Sequence, residues 1–221
     1  MPPDNPAPAG TARDILAVAW LRRCAVLIHE RRDWLTALDA AVGDGDHGIN
    51  LDRGFRVLVS RLDAGEVAPG PTGPVLVAAG RILLGSVGGA SGALYGQALV
   101  HAGERAWGLS APAVDLAEGL GAAVDRVSTL GRSRPGEKTI LDALVPAAAA
   151  LEAAGATGSD LMGALRDAAD AAEAGACGTI PLLATKGRAS YLGERSIGHL
   201  DPGAASSALL VRAMADVARF R

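Results

Sequence analysis

The sequence predicts an all-α fold, one domain built from about eight helices. Apolar residues recur at the 3.6-residue spacing of amphipathic helices, as with Leu16, Trp20, Cys24 and Ile28. Aromatic residues make up only 3% of the chain, whereas Ala and Gly are abundant. Thin side chains let helix backbones approach closely, which suits a helical bundle. The best strand candidate, residues 75–84, contains Ala-Ala-Gly and also fits a helix.

Polar breaks rich in Gly and Pro divide the chain into helical segments. Residues 1–11 are predicted to form a flexible N-terminal tail, and residues 12–221 a single helical domain. The predicted helical segments are residues 12–32, 33–41, 49–62, 74–86, 93–107, 110–130, 139–154, 159–176 and 204–220.

Local signals indicate where several of these helices begin and end. Asp33 is predicted to cap the second segment and Ser159 the eighth, which Gly178 should stop. Pro146 lies inside the seventh segment and predicts a kink there. Residues 186–203 are predicted to be a long polar loop.

Composition and charge exclude several classes of partner. A net charge of −3 gives no reason to expect nucleic acid or an anionic membrane. Residues 1–11 lack the apolar region of a signal peptide, and the uncharged stretch 143–151 is too short to cross a bilayer, so we expect a cytoplasmic protein. Cys24 and Cys177 fit no metal or redox spacing and are expected to be buried free thiols.

The loop at residues 38–50 carries three carboxylates, those of Asp39, Asp44 and Asp46, just before a helix. Neighbouring carboxylates repel one another unless a cation compensates, and Mg²⁺ prefers oxygen ligands that it shares with phosphates. Three aspartates contribute −3 and two Mg²⁺ ions +4, which leaves a positive site for a polyphosphate. The alternative interpretation is a solvated acidic turn that caps the helix.

Two other motifs in this loop are rejected. Gly43, Gly45 and Gly48 satisfy the G-x-G-x-x-G dinucleotide fingerprint, but that fingerprint needs a preceding strand, and here the preceding residues are helical in pattern. An EF-hand loop that began at Asp44 would need Glu at its twelfth position, where Phe55 stands.

The glycine-rich loop at residues 87–92 is a second candidate anion site. Ala90 and Ser91 lie between glycines just before a helix, where backbone N–H groups can approach a phosphate. The alternative is a tight helix–helix connection. Among the histidines, His47 is the functional candidate because it adjoins the acidic cluster.

Two further loops carry basic residues. Residues 131–138 narrowly miss the P-loop spacing because Glu137 intervenes, so the basic residues there are phosphate neighbours or solvated charges. The loop at residues 186–203 adds arginines that suit phosphate binding. The candidates in the two loops are Arg132, Arg134, Lys138, Arg188, Arg195, His199 and Asp201.

Four phrases together resemble one protein family. They are LDAAVGDGDHGIN, SVGGASGALYG, GRSRPGEKTILDAL and ATKGRASYLGERSIGHLDPGA. They are similar to the L subunit of bacterial dihydroxyacetone kinase, which is equivalent to the C-terminal domain of single-chain ATP-dependent kinases. The resemblance runs in order from residue 14 to the C-terminus, and the last phrase is the most specific.

The resemblance implies a closed barrel of eight antiparallel amphipathic helices that binds ADP or ATP at one end through two Mg²⁺ ions. It assigns the metal ions to Asp39, Asp44 and Asp46. The nucleotide contacts that it implies are His47, Gly48, Ile49, Asn50, Ala90, Ser91, Gly131, Ile140, Arg188, Asp201, Pro202 and Gly203.

The resemblance also implies a phosphotransferase subunit with no general base of its own. A separate K subunit would hold dihydroxyacetone or a related short ketose, and transfer would rest on positioning and electrostatic stabilisation. In one branch ADP stays bound and is rephosphorylated in place by the phosphohistidine-carrying M subunit of the phosphotransferase system. In the other branch free ATP exchanges, and the substrates are trioses or tetruloses. The family allows a homodimer within an assembly of two K and two L subunits.

A regulatory role is the alternative from a different functional class. In that role the ADP-loaded chain is a binding module that docks on a transcription factor.

Overall fold

The computed structural model describes residues 12–105 and 112–219. Within these ranges it contains nine α-helices, one 3₁₀ helix at Arg188–Ser196 and no β-strand. The α-helices are α1 (Ala12–Glu30), α2 (Arg32–Val42), α3 (His47–Asp63), α4 (Thr72–Ser86), α5 (Gly89–Arg105), α6 (Pro112–Gly131), α7 (Leu141–Thr157), α8 (Leu161–Gly178) and α9 (Pro202–Ala218).

Eight of these helices close into a ring. Each helix from α3 to α9 packs on the next, α9 packs on α1, and α1 packs on α3. The indole N–H of Trp20 donates to the carbonyl of Leu210 at 2.8 Å across the α1–α9 contact, which ties the ring where it closes. The short helix α2 contacts α3, α9 and the 3₁₀ helix. The prediction of an all-α closed bundle of about eight helices is therefore confirmed.

Small side chains allow this close packing, as the composition predicts. A Cβ atom added at Gly80 of α4 would lie 2.5 Å from the carbonyl oxygen of Gly96 in α5, so these two backbones touch. The ring encloses an apolar core whose members include Trp20, Phe55 and Leu165. In the apolar face predicted for the first helix, Trp20, Cys24 and Ile28 are buried and Leu16 is partly buried.

Several helix ends differ from the prediction. Helix α2 begins at Arg32, so Asp33 lies in its first turn and does not cap it. Asp160 caps α8 in place of Ser159, because its carboxylate accepts a hydrogen bond from the backbone N–H of Gly163 at 2.9 Å. In both cases the prediction was wrong by one or two residues.

The start of α7 and the loop before α9 differ from the prediction. Helix α7 begins at Leu141 because the Asp142 carboxylate accepts a hydrogen bond from the N–H of Thr139 at 2.6 Å, and the helix runs on through Pro146. The predicted polar loop at 186–203 contains the 3₁₀ helix, so its description as a loop was wrong over that part.

The two cysteines differ in exposure. Cys24 is buried as expected, but Cys177 is exposed near the end of α8, so that prediction was wrong. None of the helices in residues 12–105 and 112–219 has the length and apolar character that a membrane span requires. The predicted tail and the predicted helix start at Ser110 lie outside the described residues.

Candidate functional site

Three aspartates converge at one end of the ring. Asp39 lies in the last turn of α2, and Asp44 and Asp46 lie in the turn that leads into α3. One carboxylate oxygen from each aspartate lies within 4.8 Å of the other two. Asp39 is buried, whereas Asp44 and Asp46 are exposed, so the cluster opens to solvent on one side.

Asp39 holds the turn that brings the cluster together. Its Oδ2 atom accepts hydrogen bonds from the backbone N–H groups of Asp46 at 2.9 Å and His47 at 3.1 Å. The chain between them turns back through Gly45, whose φ of +72° lies in the left-handed region that favours glycine. A single carboxylate therefore shapes the turn and contributes to the acidic cluster.

Gly48 lets the start of α3 approach α2. A Cβ atom added there would lie 2.1 Å from the carbonyl oxygen of Arg32 and 2.8 Å from the backbone nitrogen of Thr36. Any larger residue would push α3 away from α2. Gly48 therefore sets the position of the whole first turn of α3, residues 47–50.

His47 connects the starts of three helices. Its Nδ1 atom lies 3.0 Å from the hydroxyl of Ser91 in the first turn of α5, and its Nε2 atom lies 2.8 Å from the hydroxyl of Ser206 in α9. Burial lowers the pKa of His47, while the charges of Asp39 and Asp46 act in the opposite direction. A neutral imidazole donates from one nitrogen and accepts at the other, which matches two hydroxyl partners.

A buried tyrosine supports this junction from the inside. The Tyr95 hydroxyl lies 2.6 Å from the Ser206 hydroxyl and 3.0 Å from the Ser207 hydroxyl, and it donates to the carbonyl of Gly203 at 3.0 Å. Burial raises the pKa of Tyr95 to about 12, so its hydroxyl stays neutral. The N-terminal ends of α3, α5 and α9 are thus held together by side-chain hydrogen bonds.

The convergence of three helix N-termini favours an anion beside the cluster. Each N-terminus carries the positive end of a helix dipole, and at the starts of α3 and α9 the carboxylates of Asp39 and Asp201 already accept a backbone N–H group. Ala90 and Ser91 lie in the first turn of α5, and Pro202 and Gly203 in the first turn of α9. This arrangement would attract phosphates, provided that the negative charge of the aspartates is compensated.

Asp201 and Ile140 form the side of the site next to α9. The Asp201 carboxylate caps α9 by accepting from the N–H of Ala204 at 2.7 Å. Burial raises the pKa of Asp201 to about 7. The buried side chain of Ile140 packs against Gly203, where an added Cβ atom would lie 3.0 Å from its Cγ2 atom.

Arg188 reaches the acidic cluster from the 3₁₀ helix. One of its guanidinium nitrogens lies 3.0 Å from the Asp44 carboxylate, although both side chains are well exposed. An arginine at this position can reach a phosphate held by the cluster. Its contact with Asp44 links the loop at residues 186–203 to the acidic loop at residues 38–50.

The remaining predicted residues lie at the edges of the site. The Asn50 side chain accepts a hydrogen bond from Arg53 at 2.9 Å, and it lies next to Gly88 before α5. Ile49 is 51% exposed, so its side chain is open to solvent at the start of α3. Gly131 ends α6, and an added Cβ atom would lie 3.9 Å from Leu94 of α5 and 3.0 Å from the hydroxyl of Ser133.

Two residues of the site region escaped the sequence analysis, and a third was misinterpreted. Tyr95 and Ser206 were not singled out, although Tyr95 follows Ser91 by one helical turn and Ser206 interrupts an Ala-rich apolar helix. Lys138 was taken as a phosphate neighbour or a solvated charge, and both interpretations were wrong. Its side chain is buried, with 1% exposure, and its ammonium group binds backbone carbonyls.

The cluster fits a divalent metal ion in the chemistry of its donors. Mg²⁺ prefers oxygen ligands and usually keeps positions for water and phosphate, and three carboxylates that open to solvent leave such positions. Among the described residues, Arg188 is the one positive side chain that forms an ion pair with the cluster. One positive charge does not balance three carboxylates, so the cluster would repel a polyphosphate unless cations bind.

The chain is similar to known proteins over most of its length. A family model described as the DAK2 domain matches residues 41–216. The PEP-dependent dihydroxyacetone kinase, ADP-binding subunit DhaL of Escherichia coli (strain K12) is 39% identical over 203 residues, which cover 91% of this chain and 96% of that protein. The PEP-dependent dihydroxyacetone kinase 2, ADP-binding subunit DhaL of Listeria innocua is 43% identical over 194 residues, which cover 86% and 88%.

A solved structure shares the fold. The dihydroxyacetone kinase from C. freundii in complex with AMP-PNP and Mg²⁺ matches with a TM-score of 0.70 at 25% identity. The match covers 98% of this chain and 37% of that chain, so this chain corresponds to about a third of that protein.

Proposed function

The chain belongs to the DAK2 domain family, and we propose that it is the nucleotide-binding L subunit of a split dihydroxyacetone kinase. The observation that carries this proposal is the convergence of three aspartates within 4.8 Å beside the N-termini of three helices. Similarity over almost the full length to two proteins named as ADP-binding subunits supports it.

We propose that Asp39, Asp44 and Asp46 hold two Mg²⁺ ions. When bound, Mg²⁺ supplies the positive charge that neutralises the carboxylates and the phosphate oxygens of the nucleotide. Asp39 keeps the cluster in place through its two backbone hydrogen bonds. The metal complex named for the C. freundii structure supports the choice of ion.

The nucleotide would lie across the junction of α3, α5 and α9. The phosphates would meet the acidic cluster and the first turns of α3 and α5, with Ser91 held by His47. Arg188 would bind a phosphate from the 3₁₀ helix. The nucleoside would lie towards the apolar Ile140 and the Asp201–Gly203 segment, and Ile49, Asn50 and Gly131 would complete the site.

Phosphoryl transfer would depend on positioning and electrostatics, because this chain presents a donor rather than the acceptor. We propose that a separate K subunit holds the ketose, and that the phosphoryl group leaves the bound nucleotide for the ketose hydroxyl. The E. coli and Listeria relatives are PEP-dependent kinases with an ADP-binding subunit, which favours the branch in which ADP stays bound and is rephosphorylated in place. A cytoplasmic location and an assembly of two K and two L subunits belong to the same proposal.

Nucleotide binding with and without metal tests the site. We expect ADP to bind in Mg²⁺ by titration calorimetry and to be lost in EDTA. Asp44→Ala and Asp46→Ala should abolish Mg-dependent binding while the helical circular dichroism stays unchanged. Wild-type affinity in either variant would contradict the metal assignment.

Reconstitution tests the activity and the source of the phosphoryl group. With a K subunit and dihydroxyacetone, the protein should yield dihydroxyacetone phosphate. Protein that releases stoichiometric ADP on denaturation supports the phosphotransferase-system branch, and an empty protein that accepts ATP supports the exchange branch. A chain that binds ADP but supports no transfer with either donor would favour the regulatory alternative.

A further inference from the structure

Lys138 is a buried lysine whose role the proposed function leaves unexplained. Its side chain is 1% exposed, so it cannot touch a nucleotide. Its backbone has a φ of +61°, in the left-handed region that is unfavourable for a residue with a side chain. A strained backbone and a buried charge both destabilise the protein unless specific contacts compensate for them.

The ammonium group of Lys138 is satisfied by backbone carbonyls from two other segments. Nζ donates to the carbonyl of Thr179 at 2.6 Å and to that of His199 through a short hydrogen bond, and Ile180 O lies 3.5 Å away. Thr179 and Ile180 follow the end of α8, where the helix dipole favours a cation. Burial lowers the pKa of Lys138, and the charges of Asp201 and Asp142 oppose this effect.

These contacts join the segments that form one wall of the proposed nucleotide site. Lys138 stands two residues before Ile140, and His199 stands two residues before Asp201. Thr179 also accepts a hydrogen bond from the backbone N–H of Asp201 through its hydroxyl at 2.9 Å. Lys138 thus ties its own segment to the segments of Thr179 and His199, and these contacts keep Ile140 against Gly203.

The acidic cluster has a separate support. Asp39 fixes the turn at residues 44–47 through its own hydrogen bonds, and α3 rests on α2 through Gly48. The hydrogen bonds of the Lys138 ammonium do not include this region. Ser206 of α9 links this segment to His47, but Asp39 fixes the backbone of Asp46 and His47 without a contact from α9. A change at Lys138 should therefore disturb the Asp201–Gly203 segment while Asp39 keeps the aspartates in place.

We propose that Lys138 is a positioning residue for the nucleoside end of the site: its ammonium group fixes the Asp201–Gly203 segment against Ile140 through the carbonyls of Thr179 and His199. This inference rests on the proposed function. It separates the site into a metal–phosphate end, supported by Asp39, and a nucleoside end, supported by Lys138.

Two ligands distinguish the ends. Mg-ADP uses both ends, whereas Mg-tripolyphosphate, which has no nucleoside, uses only the metal–phosphate end. Lys138→Met, which keeps an unbranched side chain and removes only the ammonium group and its charge, should weaken ADP binding by about tenfold or more, the loss of one or two well-placed contacts. The affinity for Mg-tripolyphosphate should stay within about twofold of wild type, because the aspartates do not move.

Lys186→Met is the matched control. Lys186 is partly exposed, and its Nζ atom lies 3.8 Å from Oε1 of Glu137. Because this ion pair is long and partly solvated, Lys186→Met should leave the affinities for ADP and for tripolyphosphate unchanged. Thr179→Val is the second test, because it removes the hydroxyl that receives the Asp201 N–H and keeps the side-chain volume. It should show the same selective loss, and it decides the question if Lys138→Met does not fold.

The outcomes separate the two proposals. Wild-type protein that binds neither ligand in Mg²⁺ refutes the proposed function. If wild-type protein binds both ligands, the folded variants decide the positioning role. Variants that keep full affinity for both ligands, or lose affinity for both equally, refute the positioning role and leave the proposed function intact. Selective loss of ADP in the variants supports it.

Discussion

Asp39 combines a structural role and a proposed metal-binding role that two substitutions can separate. Asp39→Ala and Asp39→Asn both remove the charge and one proposed metal ligand. Only Asp39→Asn keeps an oxygen that can accept from the N–H groups of Asp46 and His47. Comparing the two variants therefore isolates the hydrogen bonds from the charge.

The structure gives the size of the expected effect. Each neighbouring carboxylate within 4.8 Å repels Asp39 by about 0.9 kcal/mol at the dielectric constant of water, and both variants relieve this repulsion equally. Leaving two N–H groups, one of them buried, without an acceptor costs about 2 kcal/mol. For a protein of this size, that corresponds to an unfolding temperature about 4–8 °C lower for Asp39→Ala than for Asp39→Asn.

Thermal unfolding in EDTA and ADP titration in Mg²⁺ measure the two roles. In EDTA the Asp39→Asn variant should unfold at or above the temperature of wild type, because it relieves about 1.8 kcal/mol of repulsion, worth about 4–7 °C, and loses only part of this through weaker, neutral hydrogen bonds. Both variants should lose Mg-dependent ADP binding. Asp160→Ala is the control, since it removes a carboxylate that caps α8 outside the site and should lower stability by about 1 kcal/mol without affecting binding. Equal unfolding temperatures for the two Asp39 variants, or full ADP affinity in Asp39→Asn, would refute the reasoning.

Three further predictions concern the surrounding residues. Burial raises the pKa of Asp201 from 3.8 to about 7, so between these pH values the folded protein holds a proton that the unfolded chain releases. In urea unfolding, wild type should therefore lose stability relative to Asp201→Asn as the pH rises from about 4 to about 7. A gain in stability over that range would contradict this prediction. Arg188→Gln breaks an exposed ion pair with Asp44, so the free energy of unfolding should change by less than about 1 kcal/mol while ADP affinity falls; unchanged affinity would count against a phosphate contact. Ser206→Ala removes a hydroxyl partner of His47 in the core and should destabilise the protein by about 1–3 kcal/mol in urea unfolding, whereas a stable variant would show that the His47 network adds little.

The fold was predictable where local patterns dominate. Helical spacing and the shortage of large side chains indicated packed helices, and the structure closes eight of them into a ring. The errors fall where a distant or competing group decides. The Asp142 carboxylate delays the start of α7, and Asp160 is a better cap for α8 than its neighbour Ser159.

The acidic cluster was predictable because its members are close in sequence, whereas the supporting network was not. His47 and Ser206 are 159 positions apart, so only the closed ring brings them to 2.8 Å. Lys138 shows a second limit: a lysine in a polar loop reads as solvated, and burial of its charge depends on carbonyls that the fold supplies from α8 and the segment before α9.

A crystal structure of the protein with ADP and Mn²⁺, with anomalous scattering to locate the metal, tests the central claim most directly. We predict anomalous peaks at bonding distance from Asp39, Asp44 and Asp46, with the diphosphate on the same ions and the first turns of α3 and α5 around it. Bound ADP whose phosphates lie away from these three carboxylates, with no metal between them, would contradict the account.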